Sequence, residues 1–431
     1  MHELKQSLIK IGRKLQKDED LNAVIERIGD ARIVLLGEAS HGTSEYYHWR
    51  SRLSRRLVME KGFSFIAVEG DWPQCYLVNR YIKNYPNSGK NAREVLFNAF
   101  DSWPTWMWAN VEMIDLIEWL RAFNSNFFSE NKIGFYGLDV YSLWESLEAV
   151  TDYLEKHDPK AAVVAKQAYR CFEPFGGDIE KYALSTALVP DSCLTEVVSL
   201  FQEVQRKSEV YQDEPESLFN LEQNALVTVD AERYYRTMIL GGVESWNIRD
   251  HHMDETLERL MTFFGSKAKA IVWAHNTHIG DARATDMAGE GMINLGQLVK
   301  EHQRREGVIA VGFGSYEGSV VAADIWGDQP KKMLVPPAMV NSWEDVLNKT
   351  FAEDTLIIFK KKNPAPMLEK RGQRAIGVVY NPLDERSNYT PTILPERYDV
   401  FLFLNKTSHL RPLHIPLHLQ ADLPETYPSG L

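Results

Sequence analysis

The chain has 431 residues, 44% of them hydrophobic and 25% charged, with a formal net charge of −12. That is a globular composition, too long for one compact core, so a main unit with subsidiary ones is expected. The acidic balance disfavours nucleic acid and anionic membranes as partners, because both require a basic footprint.

No apolar stretch approaches the roughly 20 residues of a membrane helix, and residues 1–20 are too polar for a secretory leader. Cys75, Cys171 and Cys193 are odd in number and lack C-x-x-C spacing. They predict no disulfide framework and a cytoplasmic location.

In residues 3–29, Leu4, Leu8, Ile11 and Leu15, then Leu21, Val24 and Ile28, recur at helical spacing and predict an amphipathic helical region. A strand is expected over 32–36, followed by Gly37-Glu38-Ala39-Ser40-His41-Gly42-Thr43-Ser44. Thr43 or Ser44 caps a helix running to Lys61, with Gly62 as its stop. A second strand over 64–68 ends at Glu69, which makes a β-α-β unit with parallel strands.

The segment 101–120 holds Trp103, Trp106, Trp108 and Trp119, either packing against a helix or forming an apolar wall for a bulky ligand. A third strand over 132–138 ends at Asp139. From 143 to about 264 the pattern is helical, with breaks at Pro159, around 174–177 and around Pro190-Asp191. A strand over 269–274 ends at His275-Asn276-Thr277-His278, and another over 308–313 is followed by a loop at 314–318.

Beyond Gly327 prolines cluster and short strand-like runs follow at 355–359, 375–380 and 400–404. They are read as a smaller α/β or β-rich unit closing one side of the site, with an irregular tail from Pro412. The expected fold is α/β: a largely parallel central sheet with flanking helices. Residues 1–142 and 265–327 supply its two parts, 143–264 a helical insertion, and 328–431 a C-terminal subdomain.

Open α/β sheets place ligands at the carboxyl ends of their strands, and here four such ends carry Glu38 with His41, Glu69, Asp139, and His275 with His278. Imidazole, with an ordinary pKa near ~6.5, is the natural general base at neutral pH, and His41 holds that position. Glu38 or Glu69 could fix its tautomer. The helix opening at Thr43 is expected to aim its free N–H groups at the site. Arg50, two turns along that helix, reaches back only with an extended side chain, to stabilise an oxyanion or clamp a carboxylate.

A glutamate after the apolar Phe65-Ile66-Ala67-Val68 is costly to bury unless paired, which marks Glu69. His275 and His278, with a glutamate, offer a metal site or a second acid/base pair. No nucleophile elbow, P-loop or dinucleotide fingerprint occurs. Ser40 lacks a strained elbow, so water activated by a base is the simplest mechanism.

The stretch 37–47 with Arg50, the run Ala67-Val68-Glu69, Trp246-Asn247-Ile248-Arg249-Asp250 with Met253, Trp273-Ala274-His275-Asn276-Thr277-His278 and the ending Leu410-Arg411-Pro412 resemble the erythromycin esterase family. The resemblance spans nearly the whole chain. It implies metal-independent hydrolysis of a lactone ester in macrolide antibiotics, with His41 as base and Glu38, Glu69, Arg50, His275 and His278 at the other active-site positions. Trp72, Trp106, Asp139 and Arg249 are assigned to substrate binding. Some members carry the name of succinoglycan biosynthesis proteins. The expected partner is a small-molecule ester or lactone, and no cofactor is expected. Two alternatives stand beside this reading: a divalent metal held by His275, His278 and a glutamate, or a non-catalytic polyketide- or saccharide-binding protein.

Overall fold

The computed structural model describes residues 1–128, 131–175, 179–188, 192–206, 215–239, 241–303 and 307–415. The expected breaks at Gly176-Gly177 and Pro190-Asp191, and the tail from residue 416, lie outside them. Among the described residues the strands are β1 (Gly12–Lys14), β2 (Ile33–Leu36), β3 (Phe65–Asp71), β4 (Gly134–Asp139), β5 (Ala270–Trp273), β6 (Val308–Ala322), β7 (Lys331–Val335), β8 (Thr355–Ile358), β9 (Arg371–Arg374), β10 (Tyr389–Thr392) and β11 (Val400–Thr407).

Nine of them make one sheet in the order β1-β8-β11-β6-β2-β5-β3-β4, with β7 on the far end of β6. From β11 through β4 every neighbour is parallel. The antiparallel pairs β1/β8, β8/β11 and β6/β7 lie toward the other edge. Strands β2 and β5 are apolar and buried at every position, because helices cover both faces of a parallel sheet. From β2 the chain moves on toward β3 and β4, whereas from the neighbouring β6 it moves on to the opposite side, toward β8 and β11. Such a switch point opens a crevice at the carboxyl ends.

Between β4 and β5 the chain is helical: Leu143–His157, Ala162–Phe172, Ile179–Leu188, Leu194–Arg206, Ser217–Met238 and Val243–Phe263. The first five share a separate apolar core that includes Leu147, Val150, Val197, Leu200, Ala225 and Val229. The last packs Met253, Leu257 and Leu260 onto the sheet.

Several expectations change. A disulfide joins Cys171 and Cys193 within the helical unit. This overturns the expectation of unpaired cysteines and removes the ground for a reducing compartment. The N-terminal region is not one helical stretch: after helix His2–Ile9 the chain pairs as β1 against β8. The loop expected at 314–318 is strand, because Glu317 and Gly318 continue the ladder opposite Lys406 and Thr407. Within the expected C-terminal β-rich region, β8 and β11 extend the central sheet, while β9 and β10 pair apart from it. No helix of the described residues is long and apolar enough to cross a membrane.

Candidate active site

The turn after β2 is clamped on two sides. Val321 and Leu410 both donate to the Gly42 carbonyl at 3.0 Å, and a Cβ on Gly42 would lie 1.9 Å from the Val321 carbonyl oxygen. Only glycine permits that approach. The turn therefore holds Glu38 and His41 in a fixed relation, with His41 Nδ1 2.9 Å from Glu38 Oε1. Arg50 Nη2 donates to the other oxygen of Glu38 at 2.6 Å.

The Arg50 guanidinium is fully buried between the rings of Tyr47 and Trp273, at 4.4 and 4.6 Å. Its Nε and Nη1 have no hydrogen-bond partner, so the ring faces are what they meet. Arg50 reaches back as expected, but onto Glu38. It does not line the cleft described below.

Helix Ser44–Lys61 opens elsewhere than expected. Ser44 N–H donates to the Ser408 carbonyl at 2.9 Å, and Glu45 takes the Ser408 N–H and hydroxyl, so its N-terminus faces the end of β11. Its other end fits the sequence reading, with Gly62 at φ 67°. Ser40 is nearly buried and its hydroxyl is paired with that of Thr43.

The ends of β3, β4 and β5 converge on a second cluster. Arg249, from helix Val243–Phe263, donates from Nε and Nη2 to Asp139 at 2.8 and 2.7 Å, and from Nη2 to Glu69 Oε1 at 2.7 Å. The other oxygen of Glu69 accepts the His275 backbone N–H at 2.7 Å. His278 Nε2 is 3.4 Å from Glu69 Oε1 and 3.0 Å from Arg249 Nη1. His278 Nδ1 meets Asp250 at 2.9 Å, and its ring stacks on Trp246 at 4.6 Å. The two clusters touch where His41 Nε2 comes within 3.9 Å of Glu69 Oε1, and where the His41 and His275 rings lie 5.0 Å apart.

Burial alone would raise the Glu69 carboxyl, but His278, His41 and Arg249 outweigh it and hold it well below the usual range. Burial lowers His278, yet Asp250 and Glu69 prevail over burial and over Arg249 and raise it to about 9. His275 is pushed well down by burial and by His41. Asp71, buried beside Asp139 and Glu145, is pushed well up.

His41, Glu69, Asp139 and Arg249 line a cleft of about 520 Å³. Its remaining wall is largely aromatic: Trp103, Trp108, Tyr141, Tyr234, Tyr235 and Trp326. Trp72 and Trp106, expected to bind substrate, are not there. Trp72 is sandwiched in the core against Tyr136 with its Nε1 on Asn220, and Trp106 is fully buried against Trp103. The core claims both rings. The wall uses Trp103 and Trp108 of the same segment.

The metal alternative meets an obstacle. The Arg249 guanidinium occupies the space between His278 Nε2 and Glu69, where a cation held by those two groups would sit. His275 Nδ1 is taken up by Thr277.

Tyr141, Tyr234, Tyr235, Trp326 and Asp250 were not singled out in the sequence. Asp250 sits in the quoted Trp246-to-Asp250 run, and that was its one available signal. The tyrosines read as ordinary helix and loop residues.

Fold and site together define an α/β protein with a cleft at the carboxyl ends of its parallel strands, lined by ionisable and aromatic side chains. A family model for erythromycin esterase matches residues 58–407, a stretch that takes in Glu69, Asp139, Arg249, His275 and His278 and opens just beyond Arg50. The chain belongs to the erythromycin esterase family, which places it among the hydrolases.

It is 23% identical over 324 residues to erythromycin esterase type II of Escherichia coli, covering 70% of this chain and 74% of that one. A solved succinoglycan biosynthesis protein shares its fold at a TM-score of 0.75 and 24% identity, over 95% of this chain and 98% of that one. So does a histidine-to-asparagine mutant of an erythromycin esterase in its open conformation, at 0.65 and 16%, over 94% and 96%.

Proposed function

We propose that this chain hydrolyses a carboxylic ester or lactone with a water that His41 activates. The observation that carries the reading is the Arg50–Glu38–His41 relay at 2.6 and 2.9 Å. Glu38 accepts a hydrogen bond from the His41 Nδ1–H, which leaves the Nε2 lone pair available at the cleft. Glu69, at 3.9 Å, is beyond direct hydrogen-bond reach of that nitrogen. The gap suits a water.

That water's oxygen attacks the carbonyl carbon while Nε2 takes its proton, and the carbonyl oxygen becomes an oxyanion. Collapse breaks the bond to the leaving alkoxide, which takes the proton back from His41. A lactone yields one hydroxy acid, and an open ester yields an acid and an alcohol. Arg249, held by Asp139 and Glu69, is the cation at the cleft wall that supports the oxyanion. His278, held by Asp250, faces the Glu69 oxygen that Arg249 also holds, at 3.4 Å. His275, kept neutral by its low pKa, sits beside His41 without competing for the proton. Arg50 is a positioning residue that holds Glu38 in place.

A bulky cyclic ester of the macrolide kind is the favoured substrate. The cleft volume of about 520 Å³ falls in the range of small-molecule sites, about 300–1,000 Å³. Its aromatic walls suit an apolar ring, and the Escherichia coli relative is named for such an ester. Purified protein incubated with macrolides and simple lactones should give products heavier by one water in the mass spectrum. His41→Asn should abolish that gain with the circular dichroism spectrum unchanged. Undiminished turnover in His41→Asn ends the mechanism.

A further inference from the structure

Helix Val243–Phe263 carries Asp254 and Glu258 one turn apart, and helix Leu295–His302 ends with His302 against them. His302 Nδ1 is 2.9 Å from Asp254 Oδ2 and 3.3 Å from Glu258 Oε1. Ligand atoms of the three side chains all lie within 4.8 Å of one another. Asp254 is 4% exposed, and its Oδ1 is buried with no hydrogen-bond partner. A hollow of about 10 Å³ is lined by all three residues, close to the room one water or one ion occupies.

We propose that Asp254, Glu258 and His302 form a binding site for a first-row divalent cation, with zinc the best fit, separate from the catalytic cleft. One imidazole and two carboxylates are a donor set that suits zinc, with solvent completing the shell. Zinc bonds of about 2.0–2.2 Å put tetrahedral ligand atoms about 3.3 Å apart. The two distances from His302, 2.9 and 3.3 Å, lie within a few tenths of an ångström of that spacing, and the carboxylates lie within 4.8 Å of each other. The ion takes the place of the proton that His302 Nδ1 now shares with the two carboxylates.

Asp250, one turn before Asp254, already accepts the Leu295 N–H at 2.8 Å. A cation at His302 fastens the other end of helix Leu295–His302 to the helix that supplies Arg249. None of the three ligands lines the cleft, so the site is structural.

The test is calorimetric titration of chelator-stripped full-length protein with zinc chloride. His302→Gln and Glu258→Gln are compared with wild type, and the exposed His251→Gln on the same helix is the control. His302 is 45% exposed, so its replacement leaves the fold in place. The expected result is one zinc equivalent whose affinity falls by more than about tenfold in the first two variants and holds in the control. Zinc should also raise the melting temperature of wild type but not of His302→Gln. Unchanged binding in both ligand variants, no saturable binding to wild type, or a single zinc equivalent that vanishes instead with His41→Asn would each overturn the assignment.

Discussion

Glu38 and His41 stand three residues apart on one clamped turn, and their side chains meet at 2.9 Å. The pair is local in the chain, but its turn is clamped by Val321 and Leu410 from far along it. Behind the pair stands a cation, Arg50, at 2.6 Å from the second Glu38 oxygen.

Glu38→Gln tests what the carboxylate does for the imidazole. The amide has nearly the same shape, but its nitrogen can donate to Nδ1 and so favour the tautomer with the proton on Nε2. That tautomer cannot act as a base toward the cleft. kcat should fall by about 10³–10⁴-fold, the scale seen when a carboxylate orienting a catalytic histidine is made an amide. KM should change little, while thermal stability should fall, because Arg50 is left buried without its counter-charge. Steady-state kinetics separates the two parameters, and a loss confined to KM would deny Glu38 this role.

Arg50→Met leaves Glu38 buried without its partner. Glu38 and Arg50 are 1% and 0% exposed, and breaking a buried pair on one side costs about 3–5 kcal/mol. Arg50→Lys should recover only part of this, because a lysine cannot lie flat between Tyr47 and Trp273 as the guanidinium does. Urea denaturation of the three proteins should rank them wild type, Lys, Met.

Much of this site was legible before any coordinates. β2, β3, β4 and β5 are short apolar runs bounded by turn residues, and a buried parallel strand leaves that signature. Their ends name Glu38, Glu69, Asp139 and His275 directly. Partnership was less legible. Arg50 is expected to reach back toward the site, but only the fold reveals that its partner is Glu38 and that two rings enclose it. Trp72 and Trp106 show the same limit from the other side, because a tryptophan count does not tell a core ring from a wall ring. Cys171 and Cys193 are 22 residues apart in helical sequence with no spacing motif, so nothing local announced the bridge. The C-terminal strands were visible as runs, but their place in the central sheet depends on pairings across hundreds of residues, such as β1 with β8.

His278 sets a pH dependence of stability. Its pKa in the folded chain is about 9, above the roughly 6.5 of an unfolded histidine. The folded state therefore binds the proton more tightly. The stabilisation from its contacts with Asp250 and Glu69 is fully present below about pH 6.5 and is lost as pH rises through about 9. Glu69 works at the opposite end: its depressed pKa gives stability above the ordinary glutamate range that fades as pH falls through the folded value. Urea midpoints measured from about pH 6 to 10 should decline, and Asp250→Asn, which removes the larger of the two attracting charges, should flatten that decline. An equal slope in the variant would point to a different titrating group.

Trp103 and Trp326 join the cleft's outer rim, with ring centroids 4.4 Å apart, and Trp103 Nε1 reaches the Asp328 carbonyl at 2.9 Å. Trp326 is 63% exposed, so it contributes little to the core and is available to a ligand. Trp326→Ala should lower kcat/KM for a macrolide by about tenfold, the equivalent of one partly buried ring face, about 1.4 kcal/mol. A small lactone that does not reach the rim should be hydrolysed as before. A matching loss on both substrates would mean that the ring supports the fold and not the ligand.

The Cys171–Cys193 bridge ties helix Ala162–Phe172 to the start of helix Leu194–Arg206 across a separation of 22 residues. Closing a loop of that length restricts the unfolded chain by about 3 kcal/mol. The bridge lies inside the separate apolar core of the helical unit, where Phe172 and Cys193 are buried, so its removal acts there first. The Cys193 backbone N–H also donates to the Tyr182 hydroxyl at 2.9 Å, and Tyr182 in turn donates to Glu232 at 2.8 Å. These bonds persist without the sulfurs and keep the helices in place. Cys171→Ser with Cys193→Ser should therefore lower the urea midpoint by the equivalent of about 3 kcal/mol while the far-ultraviolet circular dichroism stays native. Dithiothreitol should destabilise wild type to the same level and leave the double variant unmoved. Tyr234, Tyr235 and Met238, on helix Ser217–Met238 of this unit, line the cleft, so loosening should also raise KM for a bulky ester while kcat holds. A variant as stable as wild type, with or without reductant, would mean that the bridge contributes nothing to holding this unit together.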